Sequence, residues 1–134
     1  MSYEVIMFCL VDASEVRAFG ERVCSNMASQ CEGVTYSEVR ASNDSNAYRI
    51  ETASGREMDI QFYWAGTFFE HSVAIAAGDP DAGMAPDSTC IISFDLSGDI
   101  PWNVISNIWE DVSANHSAVL YDEADGFAAS LNIT

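Results

Sequence analysis

Two histidines, four cysteines and twenty-one acidic side chains are the groups in this 134-residue sequence best able to do chemistry. Nucleophilic catalysis needs a thiol beside a base, so Cys9 or Cys90 paired with His71 or His116 is the first arrangement to weigh. Both cysteines lie in apolar, strand-like runs, and no glycine-rich elbow surrounds either. His71 shares an alternation with Phe69, Val73 and Ile75, which reads as a packed side chain. His116 falls at a helix C-terminus, where a partial positive charge meets the dipole. No C-x-x-C pair occurs and the histidines stand apart, so zinc has no support. Asp79, Asp81 and Asp87 share a loop and suggest calcium. However, Gly83 holds the fifth position, and no bidentate glutamate follows at the twelfth. Phosphate cradles want glycines and a cation ahead of a helix. The junctions at Val11-Asp12-Ala13 and Ser97-Gly98-Asp99-Ile100-Pro101 offer an acid instead. The sequence assigns no catalytic residue, no metal and no cofactor, and predicts a protein that is not an enzyme.

Charge is the distinguishing feature. There is no lysine, and the positive charges are Arg17, Arg22, Arg40, Arg49 and Arg56. Eight acids accompany them in the first 56 residues, and thirteen follow from Glu57 onward with no cation, for a net charge of −16. Such a field repels nucleic acid and anionic membrane and speeds encounter with basic proteins. Acidity here does not mean disorder. Apolar residues make up 49% of the chain and aromatics 11%, enough for one domain over residues 1–134 with a substantial core. Cys24 and Cys31 are two helical turns apart, roughly 10 Å, beyond disulfide reach. Four reduced thiols are expected. No signal peptide or membrane-spanning run is legible, which predicts a cytoplasmic protein.

The elements that must position these groups follow from periodicity. Residues 3–11 are apolar on both alternations, as in a strand covered on both faces. Asp12 and Glu15 form a capping-box pattern ahead of a stripe at Val16, Phe19, Val23 and Met27, with Gly33 as the stop. A polar strand is expected over 34–40, a turn over 42–46 and a strand around Tyr48, Ile50 and Thr52. In the next strand Met58, Ile60, Phe62 and Trp64 oppose Glu57, Asp59, Gln61 and Tyr63. Phe69 to Ile75 is read as another strand, 78–87 as a loop and 90–96 as a strand. A helix follows from Asp99 and Pro101 with Trp102, Ile105, Ile108, Trp109 and Val112 on one face. A strand over 117–121, an Asp125-Gly126 turn and a short strand from Phe127 complete the chain.

The expected fold is α+β, a mostly antiparallel sheet with two helices packed on one face, in the order β-α-β-β-β-β-β-α-β-(β). Its expected core is Ile6, Phe8, Leu10, Phe19, Val23, Ile60, Phe62, Ile92, Phe94, Ile105, Trp109 and Val119.

Trp109-Glu110-Asp111 leads through Ala118-Val119-Leu120-Tyr121-Asp122-Glu123-Ala124-Asp125-Gly126. This segment resembles the C-terminal part of several immunity-protein families that bacteria pair with toxins. There a Trp-containing helix runs into a strand ending in a tyrosine–aspartate turn. The resemblance implies an inhibitor that covers the active or nucleic-acid-binding groove of a basic protein. A phage-encoded anti-defence protein mimicking nucleic acid would share that physics. A housekeeping domain adapted to high salt is a further alternative, although solvent adaptation should spread acid evenly over the chain. The expected partner contacts are Asp59, Glu70, Asp95, Glu110, Asp111, Asp122, Glu123 and Asp125, with Tyr63 and Tyr121 as aromatic anchors.

Overall fold

Apolar residues on both alternations of the first strand demand cover on both sides of the sheet, and that is what they receive. In a computed structural model describing residues 2–98 and 100–127, β1 (Ser2–Cys9) presents Val5, Met7 and Cys9 to one layer and Ile6 and Phe8 to the other. The other strands and α-helices are α1 (Val16–Gln30), β2 (Thr35–Ala41), β3 (Ser45–Glu51), β4 (Glu57–Tyr63), α2 (Gly66–Ala77), β5 (Cys90–Ser97), α3 (Trp102–Asn115) and β6 (Ala118–Asp122), with a 3-10 turn at Ala85–Asp87 between α2 and β5. All six strands join one antiparallel sheet in the order β2-β3-β4-β5-β1-β6. Among the described residues no helix is long and apolar enough to cross a membrane.

The α+β class and the antiparallel sheet are as expected, but the described residues form three α-helices, not two. Helices α1 and α3 pack on one face over the larger core, and α2 covers part of the other. The stretch expected as a strand through Phe69, His71, Val73 and Ile75 is α2. Its buried residues are Ser72 and Ala76, a four-residue step, while His71 and Ile75 are exposed. Ala74, Ala76 and Ala77 favour helix strongly, which settles a pattern that alternation alone leaves ambiguous. Gly66 opens α2 at φ 89°, a conformation costly for any side chain.

The main core lies under α1 and α3. Phe62 is fully enclosed, with Phe19 edge-on at 5.8 Å and Tyr48 edge-on at 5.7 Å. Edge-to-face rings add to the area they bury. Most of the expected core is enclosed. Leu10, in contrast, is 47% exposed, because β1 ends at Cys9 and the alternation ends with it. Trp109 and Val119 are half-buried. All four cysteines are buried and free.

Local corrections have local causes. The Asp12–Glu15 capping box does not form. The Glu15 N–H donates to the Asp12 carbonyl in a turn, and α1 begins at Val16 with no side-chain cap. Helix α3 begins at Trp102 after Pro101, and the expected start at Asp99 lies outside the described residues. The strand expected from Phe127 extends beyond them as well. Phe127 itself follows a turn closed by bridge pairing of Asp122 with Gly126.

Candidate partner-binding face

On β4, buried Met58, Ile60 and Phe62 alternate with Glu57, Asp59, Gln61 and Tyr63, so the polar set lies on the α2 side of the sheet. Antiparallel register carries that row across four strands. Arg49 on β3 pairs with Asp59, Asp59 with Asp95 on β5, and Asp95 with Glu4 on β1. Just past β6 the row continues to Glu123, whose N–H donates to the Glu4 carbonyl at 3.2 Å and whose Oε1 accepts from the Glu4 N–H at 2.6 Å. Neighbouring strands are about 4.8 Å apart. The acids of this row therefore stand side by side, not scattered over the surface.

Like charges directly opposite each other destabilise a sheet. Asp59–Asp95, Asp95–Glu4 and Glu51–Glu57 are three such pairs. Arg49 relieves one end, with Nε 3.0 Å from an Asp59 oxygen and 4.0 Å from Glu57. At the other end Glu4 stands solvent-exposed near the start of β1. Partial burial pushes its carboxyl above the ordinary value, and the neighbouring Glu123 and Asp95 carboxylates push it the same way. Among the described residues no three His, Cys, Asp or Glu side chains converge as metal ligands, so these acids form a row and not a cage.

Beyond the acids the same face changes character. Along β1, Glu4 gives way to Ile6 and Phe8, and Ile6 is opposite Ser93 on one side and Tyr121 on the other. Helix α2 stands over this end. Tyr63 packs against Phe68 of α2 at 4.6 Å between rings, and its hydroxyl hydrogen-bonds Gln61. Arg40 lies over the Tyr63 ring at 6.0 Å, so cations edge the β2–β3 side while acids run toward β1 and β6.

The structure brings together Asp59, Tyr63, Asp95, Tyr121 and Glu123 from the expected contact set, on one face. Glu70 is exposed on α2 above that face, and Asp125 is exposed in the turn after β6. Three others are placed elsewhere. Glu110 is exposed on α3, in the opposite layer. Asp111 joins the helices, accepting from Asn26 Nδ2 at 3.4 Å and Asn115 Nδ2 at 3.0 Å. It lines a mixed polar and apolar concavity of about 300 Å3 with Phe19, Arg22 and His116. His116 caps α3, and its ring meets Phe19 edge-on at 5.2 Å. Asp122 is buried and holds the final turn, its Oδ1 accepting from the N–H groups of Ala124 at 3.0 Å and Asp125 at 2.7 Å. Glu4 was missed from the expected set. Its signal was a lone acid at the start of an apolar strand.

No protein-family model, curated protein or solved structure matches this chain.

Proposed function

We propose that this protein is an acidic inhibitor that binds a basic protein partner through the open face of its sheet and covers the partner's active or nucleic-acid-binding groove. One observation carries the reading: the carboxylates of Asp59, Asp95 and Glu4 are held in direct register across β4, β5 and β1. Ordinary solvated acids have no reason to be stacked where they repel one another. A guanidinium or ammonium row brought against them relieves that repulsion on binding. The long-range field of a chain with net charge −16 draws such a partner in. Adaptation to high salt would account for exposed acids elsewhere, such as Glu21 and Glu110, but gives no reason for Asp59, Asp95 and Glu4 to face one another across three strands.

The segment resembling toxin immunity proteins, from Trp109 onward, forms the second half of helix α3, strand β6 and the Asp122–Gly126 turn, and it contributes Tyr121 and Glu123 to the face. This supports an immunity role within the reading. The test is affinity capture from the native host, with the unmodified protein and a Glu4→Gln/Asp95→Asn variant run in parallel. The expected result is a basic partner retained by the first and lost by the second. A toxin domain assigns immunity, and a nucleic-acid-binding defence complex assigns anti-defence. An acidic partner, or equal retention by the variant, would sink the reading.

A further inference from the structure

The acidic row meets an apolar cleft at Glu4. Two and four residues along β1 from that carboxylate, Ile6 and Phe8 floor a cleft of about 250 Å3 walled by Phe68 and Ile75 of α2 and by Tyr121 and Phe127 on the β6 side. Its walls are braced ahead of any ligand. Phe127 packs against Phe8 at 5.5 Å and Tyr121 at 5.2 Å, and Phe68 against Tyr63 at 4.6 Å. Yet Phe68 and Ile75 remain 36% and 59% exposed, although α2 has a sheet beneath it on which to bury them. A pre-formed apolar pocket beside a charged rim has the anatomy of an interface hot spot.

We propose that this cleft takes an apolar anchor side chain from the same basic partner, on a segment that carries an Arg or Lys about 7 Å from the anchor. That distance is the two-residue step of an extended strand, the step that separates Ile6 from Glu4. The inference rests on the acidic-face reading and names the chemistry of the segment that docks there. Charge complementarity selects this occupant. The mouth of the cleft carries Glu4, with Asp95 and Glu123 as its register neighbours. A second copy of the chain would bring a net charge of −16 against that mouth, and an anionic lipid surface would be repelled in the same way.

The test uses three synthetic peptides titrated into the full chain by NMR. The first is acetyl-Gly-Phe-Gly-Arg-Gly-Arg-amide, the second has Gly in place of Phe, and the third has Gln in place of both Arg. The first should shift the amides of Ile6, Phe8 and Ile75 together with those of Glu4 and Asp95. It should bind about tenfold tighter than the second, the factor expected from burying most of one large apolar side chain. Ile75→Gln, at an exposed position that leaves the fold intact, should erase that preference without weakening the second peptide.

Equal binding of the first two peptides, or a preference untouched by Ile75→Gln, overturns the anchor and leaves the acidic row standing. Binding by the third peptide as tight as the first overturns the acidic reading and this inference with it. Sedimentation that shows a dimer abolished by Ile75→Gln assigns the cleft to a second copy and overturns the proposal.

Discussion

Glu4 on β1 and Asp95 on β5 are register partners, two carboxylates directly opposite each other on the open face of the sheet. Partial burial raises the Glu4 carboxyl above its usual range, and the Glu123 and then the Asp95 charges add to it. A raised carboxyl means that the folded state holds its proton more tightly than the unfolded chain does. The stability it contributes is present in acid, below the unfolded value, and is lost as pH rises through the folded one. Because Glu4 is exposed and solvent screens these charges, Glu4→Gln should stabilise the protein near pH 7 only slightly, by about 0.2–0.5 kcal/mol. The gain should vanish near pH 3, where both states are protonated. Urea denaturation at the two pH values reads this directly, and a loss of stability near neutrality would show that Glu4 is paired and not crowded.

Gly20 lies inside α1, where alanine would ordinarily add up to about 1 kcal/mol of helix propensity. A Cβ there would stand 2.8 Å from Tyr48 Cε1 and 3.0 Å from Phe62 Cδ1, inside the aromatic core. Gly20→Ala should reverse the usual sign and destabilise by about 1–3 kcal/mol. Thermal and urea unfolding would detect either sign.

Phe62 is fully buried on β4 between Phe19 and Tyr48. Phe62→Ala should cost about 3–5 kcal/mol. Ile75→Gln, on the exposed side of α2, should stay within about 0.5 kcal/mol. Chemical denaturation of the two variants separates a packed position from one kept apolar for another purpose, and equal losses would contradict that assignment.

Burial pushes the Cys24 and Cys90 thiols up to about 12 and Cys9 well above its ordinary value, and Cys31 is raised by the same cause. The thiolate is the reactive form, so all four should resist alkylation in the native state. Mass spectrometry should show no label before unfolding and four labels after it, without reductant. Fewer labels after unfolding would reveal a bridge.

The layers under α1 and α3 were legible because their signals are local. The stripe from Val16 to Met27 and the alternation from Met58 to Phe62 each mark a buried face within a few residues. Helix α2 was obscured because Phe69, Val73 and Ala76 at helical spacing are interleaved with a competing alternation through His71 and Ile75. The acidic bias was plain in the sequence, but the row was not. Glu4, Asp59 and Asp95 are far apart along the chain and meet only through the β4–β5–β1 register, which no local pattern encodes. Asp122 looked like part of an exposed cluster because an Asp-rich turn reads the same whether a carboxylate faces solvent or its own backbone.

The most direct measurement is the association rate with the captured partner at low and moderate salt, for the unmodified protein, Asp95→Asn and Arg49→Gln. Removing an acid from the row should slow association and flatten its salt dependence. Releasing Asp59 from its 3.0 Å pairing with Arg49 should do the opposite, raising the rate and steepening the dependence. Opposite effects of the two variants would establish the row as the surface that the partner meets. Rates indifferent to salt, or shifts of the same sign in both variants, would contradict it.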